Sequence, residues 1–157
     1  MYGTIFILPL AKQFTLGSNE RLKSRKQIEQ LFKEGKSFSL FPYKVYYLIS
    51  PVTNSRPSYR TGSLEPLNSR LRFSVGVGTR NFKKAPDRNR IKRLTREAYR
   101  LRKLPLQQKI FSANQQLNIF FIYTGKELPD HLLVKEKTVL ILNRLIKVVD
   151  ENIVADS

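Results

Sequence analysis

The chain contains no cysteine and no tryptophan, a single histidine, and only 12 acidic residues against 29 Lys and Arg. Without cysteine there are no disulfides and no thiolate metal sites, which suits a reducing compartment and makes the cytoplasm the expected location. The lone His131 follows Pro129 and Asp130 in a polar turn with no second imidazole to join it, so it reads as a surface residue and not as a catalytic base. The acids Asp87, Glu97, Glu127, Asp130, Glu136, Asp150, Glu151 and Asp156 are scattered among basic or terminal residues, and such spacing does not build a two-metal centre. No catalytic residue and no metal ligand is therefore expected here; a partner must carry any chemistry the chain serves. Long apolar runs are also missing. Nothing approaches the roughly 20 residues of a membrane span. The stretch Ile5 to Ala11 has no Lys or Arg before it and is broken by Pro9, which makes a poor signal peptide.

Positive charge is abundant. The net charge is +17 and the pI near 10.4, more than solubility needs, and a polyanion is the implied partner, bound with steep salt dependence. An apolar content of 41% over 157 residues supports one folded domain. The densest charge lies between Arg80 and Lys103, where 11 Lys or Arg meet two acids. At about 100° per residue Ile91, Leu94, Ala98 and Leu101 form an apolar stripe, and Asn89, Lys92, Arg93, Arg96, Arg100 and Lys103 gather on the opposite side. Ordinary solvated helix faces mix Glu with Lys at i,i+4 spacing. This one offers almost no acid, which points to RNA.

Other elements follow from pattern. Ser24 with Gln27 predicts a helix start, Ile28, Leu31 and Phe32 its spacing, and Gly35 its end, giving a helix over 25–34. A short extended piece over 37–40 precedes a strand over 43–50, with Val45, Tyr47 and Ile49 facing the core and Lys44 and Tyr46 the other side. Residues 51–70 hold Pro51, Pro57, Gly62 and Pro66 and read as a long mobile loop. Leu71 to Thr79 alternates, with Leu71, Phe73, Val75 and Val77 on one face and Arg72, Ser74, Gly76 and Gly78 on a bare one that something can approach closely. Gly76 and Gly78 lack the third glycine of a dinucleotide site. The basic helix should end near Leu104 before Pro105. Leu117 to Thr124 predicts an interior strand covered on both faces or nearly so, and 135–150 a last helix with Val139, Leu142, Leu145, Ile146 and Val149 on its apolar face. The order α-β-β-β-α-β-α describes an α+β two-layer sandwich. Its boundaries are a flexible leader at 1–19, one RNA-binding domain over 20–150 and a tail at 151–157. Among the aromatics, Phe32, Tyr46 and Tyr99 are candidate platforms for unstacked bases.

The segments ERLKSRKQIEQLFKEGKSF at 20–38, FSVGVGTRNFKKAPD at 73–87 and RNRIKRLTREAYR at 88–100 resemble the bacterial ribonuclease P protein subunit, over about residues 20–148. The resemblance implies a ribosomal S5 domain 2-like fold with a left-handed βαβ crossover through 71–79, the basic helix and 117–124, against the usual hand. It also implies an accessory role in an endoribonuclease whose catalyst is an RNA subunit using Mg²⁺ to remove the 5′ leader of precursor tRNA. Arg88, Asn89, Arg90, Lys92, Arg93, Arg96 and Arg100 would contact the catalytic RNA. A cleft between the first helix, the sheet and the basic helix would hold the leader at Ile28, Phe32, Lys44, Tyr46, Ser74, Gly76, Gly78 and Arg80. The partners would be the RNA subunit and precursor tRNA, with no membrane and no protein partner required. Three features depart from the family pattern: Thr79-Arg80 stands where many members have Lys-Lys, Ile28 where Phe is frequent, and the 51–70 loop, with Arg56, Arg60 and Arg70, is longer. A ribosomal or other structural RNA-binding protein is the alternative, and the open strand face with Tyr46 argues against it.

Overall fold

Alternation of large apolar and smaller or polar residues builds the sheet. In a computed structural model, which describes residues 16–52 and 70–155, the described strands are β1 (Lys36–Leu40), β2 (Tyr43–Pro51), β3 (Leu71–Val77) and β4 (Gln115–Tyr123). They form one mixed sheet in the order β1-β2-β4-β3, with β1 and β4 antiparallel to β2 and β3 parallel to β4. Register aligns Val45 with Phe121 and Phe121 with Val75, so one parity of every strand forms a single apolar layer.

The helices are α1 (Arg25–Glu34), α2 (Ala85–Arg102), α3 (Leu104–Ser112) and α4 (His131–Ala155). α1 has the predicted bounds, and the Ser24 side chain accepts from the Gln27 N–H at 3.5 Å. Gly35 follows it with φ −74°, an ordinary value. What demands glycine there is close approach: a Cβ would lie 2.3 Å from the Leu31 carbonyl oxygen and 2.9 Å from that of Tyr47. α3 was not anticipated. Pro105 does end one helix, but it then occupies the first turn of the next, where its missing N–H costs nothing. α4 starts four residues earlier than expected and runs on through 151–155, the stretch assigned to a tail.

α2, α3 and α4 cover one face of the sheet. Phe73, Ile91, Tyr99, Leu106, Ile110, Phe121, Leu142 and Leu145 belong to the core between them. α1 lies on the opposite face, where Phe32 meets Tyr46 and Phe120. β4 is thus an interior strand by pairing, yet it is buried only at Leu117, Ile119, Phe121 and Tyr123; Asn118, Phe120 and Ile122 on its other side are half-buried. Of the expected cover on both faces or nearly so, the second face has only part, because one ten-residue helix cannot roof a four-stranded sheet. The crossover from β3 through α2 and α3 to β4 joins parallel neighbours, the connection whose left hand the resemblance implies.

The domain begins before residue 20. Leu16 packs against the core, and Ser18–Glu20 forms a 3₁₀ turn that leads into a parallel bridge between Arg21 and Phe73. Arg56 and Arg60, with residues 53–69 of the predicted loop, lie outside the described residues, as do 1–15 and 156–157. No helix among the described residues is long and apolar enough to cross a membrane.

Candidate nucleic-acid interface

The side of α2 turned from the core presents exposed Asn89, Arg90, Arg93 and Arg96, flanked by half-buried Lys92 and Arg100. Its inner side is buried at Ile91, Thr95, Ala98 and Tyr99, a face rotated from the expected stripe. Leu94 is only half-buried and Leu101 is 43% exposed. The rotation follows from two hydroxyl residues that a hydropathy pattern scores as polar. Thr95 donates to the Ile91 carbonyl at 2.9 Å and shares a hydrogen bond of 2.7 Å with the Tyr43 hydroxyl, which satisfies it inside the core. Burial pushes the Tyr43 phenol up to about 12, against the smaller opposing effect of the Thr95 bond. Tyr99, a candidate platform by sequence, is fully buried, with its ring stacked on Phe73 at 3.9 Å and 8°; it is a core residue. Lys103 also leaves the basic surface, buried at 1% exposure against Glu20.

Two of the predicted contacts are engaged within the chain. The Arg88 guanidinium donates to the carbonyls of Phe82 at 2.8 Å and Lys83 at 2.9 Å, tying the basic connection to the start of α2. Arg100 donates to Glu97 through Nε at 3.1 Å and through a terminal nitrogen as well. The hydrogen bond from Arg100 holds the Glu97 carboxyl below its usual range, and the same bond raises Arg100.

The second surface lies across the sheet. Phe32, 41% exposed on α1, stands edge-on to Tyr46 at 4.7 Å and tilted to Phe120 at 5.2 Å. Lys44 places its ammonium 5.1 Å from the centre of the Tyr46 ring, a cation–π contact. Ile28 is half-buried one helical turn before Phe32. Ser74 and Gly76 lie on the same side of β3, and a Cβ at Gly76 would come 3.0 Å from the Phe120 ring. Gly76 is therefore filled by Phe120 and not bare. Gly78, past the strand end, does face open space, next to exposed Arg80. Sequence reasoning missed Phe120; its parity with Asn118 and Ile122 was the available signal.

One expectation needs correction. α2 does not wall this cleft, because it packs on the parity of β3 that includes Phe73, whereas the cleft uses the parity of Ser74 and Gly76. The two surfaces are joined through the connection 78–84, where the Asn81 amide donates to the carbonyls of Thr124 and Gly125 at 3.4 Å. Among the described residues no group of three or more His, Cys, Asp or Glu could hold a metal ion.

Fold and site together define a small α+β protein with a cationic helix on one side of its sheet and an aromatic cleft on the other. Residues 16–141 match the model of the Ribonuclease P family. Ribonuclease P protein components from two strains of Porphyromonas gingivalis are 34% identical over 122 residues, covering 78% of this chain and 80% of theirs. The chain belongs to the ribonuclease P protein component family. The Thermotoga maritima RNase P protein superposes with a TM-score of 0.55 at 25% identity, covering 80% of this chain and 96% of that one. The Staphylococcus aureus protein, at 18% identity and a TM-score of 0.55 over 80% of this chain and 94% of its own, shares the fold.

Proposed function

We propose that the chain is the accessory subunit of a cytoplasmic ribonuclease P. It binds the catalytic RNA through Asn89, Arg90, Lys92, Arg93 and Arg96, and takes the 5′ leader of precursor tRNA into the cleft of Ile28, Phe32, Lys44, Tyr46 and Ser74, with Arg80 at its end. Leader hydrolysis is carried by the RNA with its Mg²⁺. The protein's part is to add binding energy for the leader-bearing substrate and to offset phosphate repulsion between two RNAs.

The observation that supports this reading best is the division of labour across the sheet. Exposed guanidinium groups on a rigid helix suit a phosphate backbone, while exposed Phe32 and half-buried Tyr46 beside Lys44 suit an unpaired strand whose bases can stack. The Arg88 and Arg100 contacts place those two residues partly in the scaffold of the surface.

The test is cleavage of a 5′-leader precursor tRNA by the cognate RNA at low Mg²⁺, with and without the protein, and with the protein alone. Strong stimulation and an inactive protein-only control are expected. Cleavage by the protein alone would refute an RNA-borne active site, and no stimulation would refute the accessory role.

A further inference from the structure

Glu20 and Lys103 are 2% and 1% exposed and form an ion pair. The same Glu20 oxygen accepts from the Gln107 amide at 2.7 Å, and the other accepts from the Gly17 N–H at 2.8 Å. Burying two charges is a weak way to stabilise a fold, but breaking such a pair leaves an uncompensated charge, so the arrangement is specific about position. Two residues on, the Leu22 N–H donates to the Phe73 carbonyl at 2.9 Å. Arg21 sits between these anchors, exposed, with its backbone bridged to β3.

Held there, Arg21 faces α2 across an open groove that it lines with Asn89, Arg93, Arg96, Glu97 and Arg100. Four guanidiniums and one carboxylate share it, and that carboxylate is engaged by Arg100. Arg21, Arg93 and Arg96 have no ion-pair partner among the described residues. Like charges gathered on two immobilised elements repel, and an anion lying between them relieves that repulsion.

We propose that the basic face of α2 is one wall of a two-walled phosphodiester groove. Arg21 is the other wall, and the buried Glu20–Lys103 pair positions it. The ligand class is the backbone of an RNA strand running between the N-terminal segment and the helix. This rests on the reading that α2 binds the RNA subunit.

The test measures affinity of the full chain for the catalytic RNA over a salt series. Arg21→Ala is compared with Lys147→Ala, which removes an exposed charge on α4 near β1, the far edge of the sheet. Arg21→Ala is expected to weaken binding and to lower the salt slope by about one, with Lys147→Ala close to wild type. An Arg21→Ala slope equal to that of Lys147→Ala overturns the proposal. Wild-type binding without salt dependence would instead remove the RNA-subunit reading beneath it. Glu20→Gln tests positioning: in that background Arg21→Ala is expected to change the slope no further, and a full additional loss would refute the role of the pair. Arg21→Ala alone decides the groove should Glu20→Gln fail to fold.

Discussion

Tyr46→Ala tests the proposed leader cleft apart from the proposed RNA-subunit surface. The substitution removes the half-buried ring that meets Phe32 at 4.7 Å and underlies the Lys44 ammonium. Two losses follow, and they have different signatures. The Phe32–Tyr46 edge contact, worth about 0.5–1.5 kcal/mol, belongs to the folded protein and is lost whatever the substrate; in a domain of this size about 1 kcal/mol lowers Tm by roughly 2–4 °C. Stacking on a leader base, worth about 1–3 kcal/mol, is lost only when a leader is present. The ratio of affinities for precursor over mature tRNA should therefore fall by about 5- to 150-fold. The assay is equilibrium binding of the reconstituted ribonucleoprotein to the two tRNAs at fixed salt and Mg²⁺. Tyr46→Phe keeps the ring and should keep the ratio. Equal weakening for both tRNAs would refute the cleft assignment, since a fold defect cannot tell them apart.

On α2, Arg93→Ala removes an exposed charge with no ion pair among the described residues, and should lower the salt slope of RNA-subunit binding by about one while leaving Tm unchanged. Arg88→Ala instead breaks two charge-assisted bonds to the Phe82 and Lys83 carbonyls and should cost about 2 kcal/mol of stability; thermal melts of the two variants check the contrast. Gly35→Ala forces a Cβ against two backbone oxygens that cannot step aside, so chemical denaturation should show a loss of about 2–3 kcal/mol. The Tyr43 phenol is held protonated in the fold up to about 12 but ionises near 10 when unfolded. Its contribution is complete below pH 10 and is lost as pH rises from 10 toward 12, by about 2–3 kcal/mol. Tyr43→Phe should flatten that part of the alkaline stability profile; an unchanged profile would show that the phenol does not titrate with unfolding.

The sheet was legible because period-2 alternation in 43–50 and 71–79 survives burial on one side, and α1 because Ser24, Ile28, Leu31 and Phe32 agree on a single boundary and a single face. The inner side of α2 was legible only in part: Ile91 and Ala98 of the expected stripe are buried. Thr95, Tyr99 and Lys103 look like surface residues until Tyr43, Phe73 and Glu20 come from 52, 26 and 83 residues away to receive them, and no local period encodes a partner that distant. The same limit explains Tyr99. An aromatic among arginines fits a base platform as well as it fits a core stack, and only the position of Phe73 decides between them. For the basic surface the error ran the other way. The family resemblance counts Arg88, Arg93 and Arg100 as equals, yet one holds a loop, one is open to solvent and one is held by a carboxylate. Charge density in sequence thus marks a candidate interface without ranking its members. The ranking comes from which side chains the fold has already engaged, so Arg90, Arg93 and Arg96 should weigh most in RNA binding.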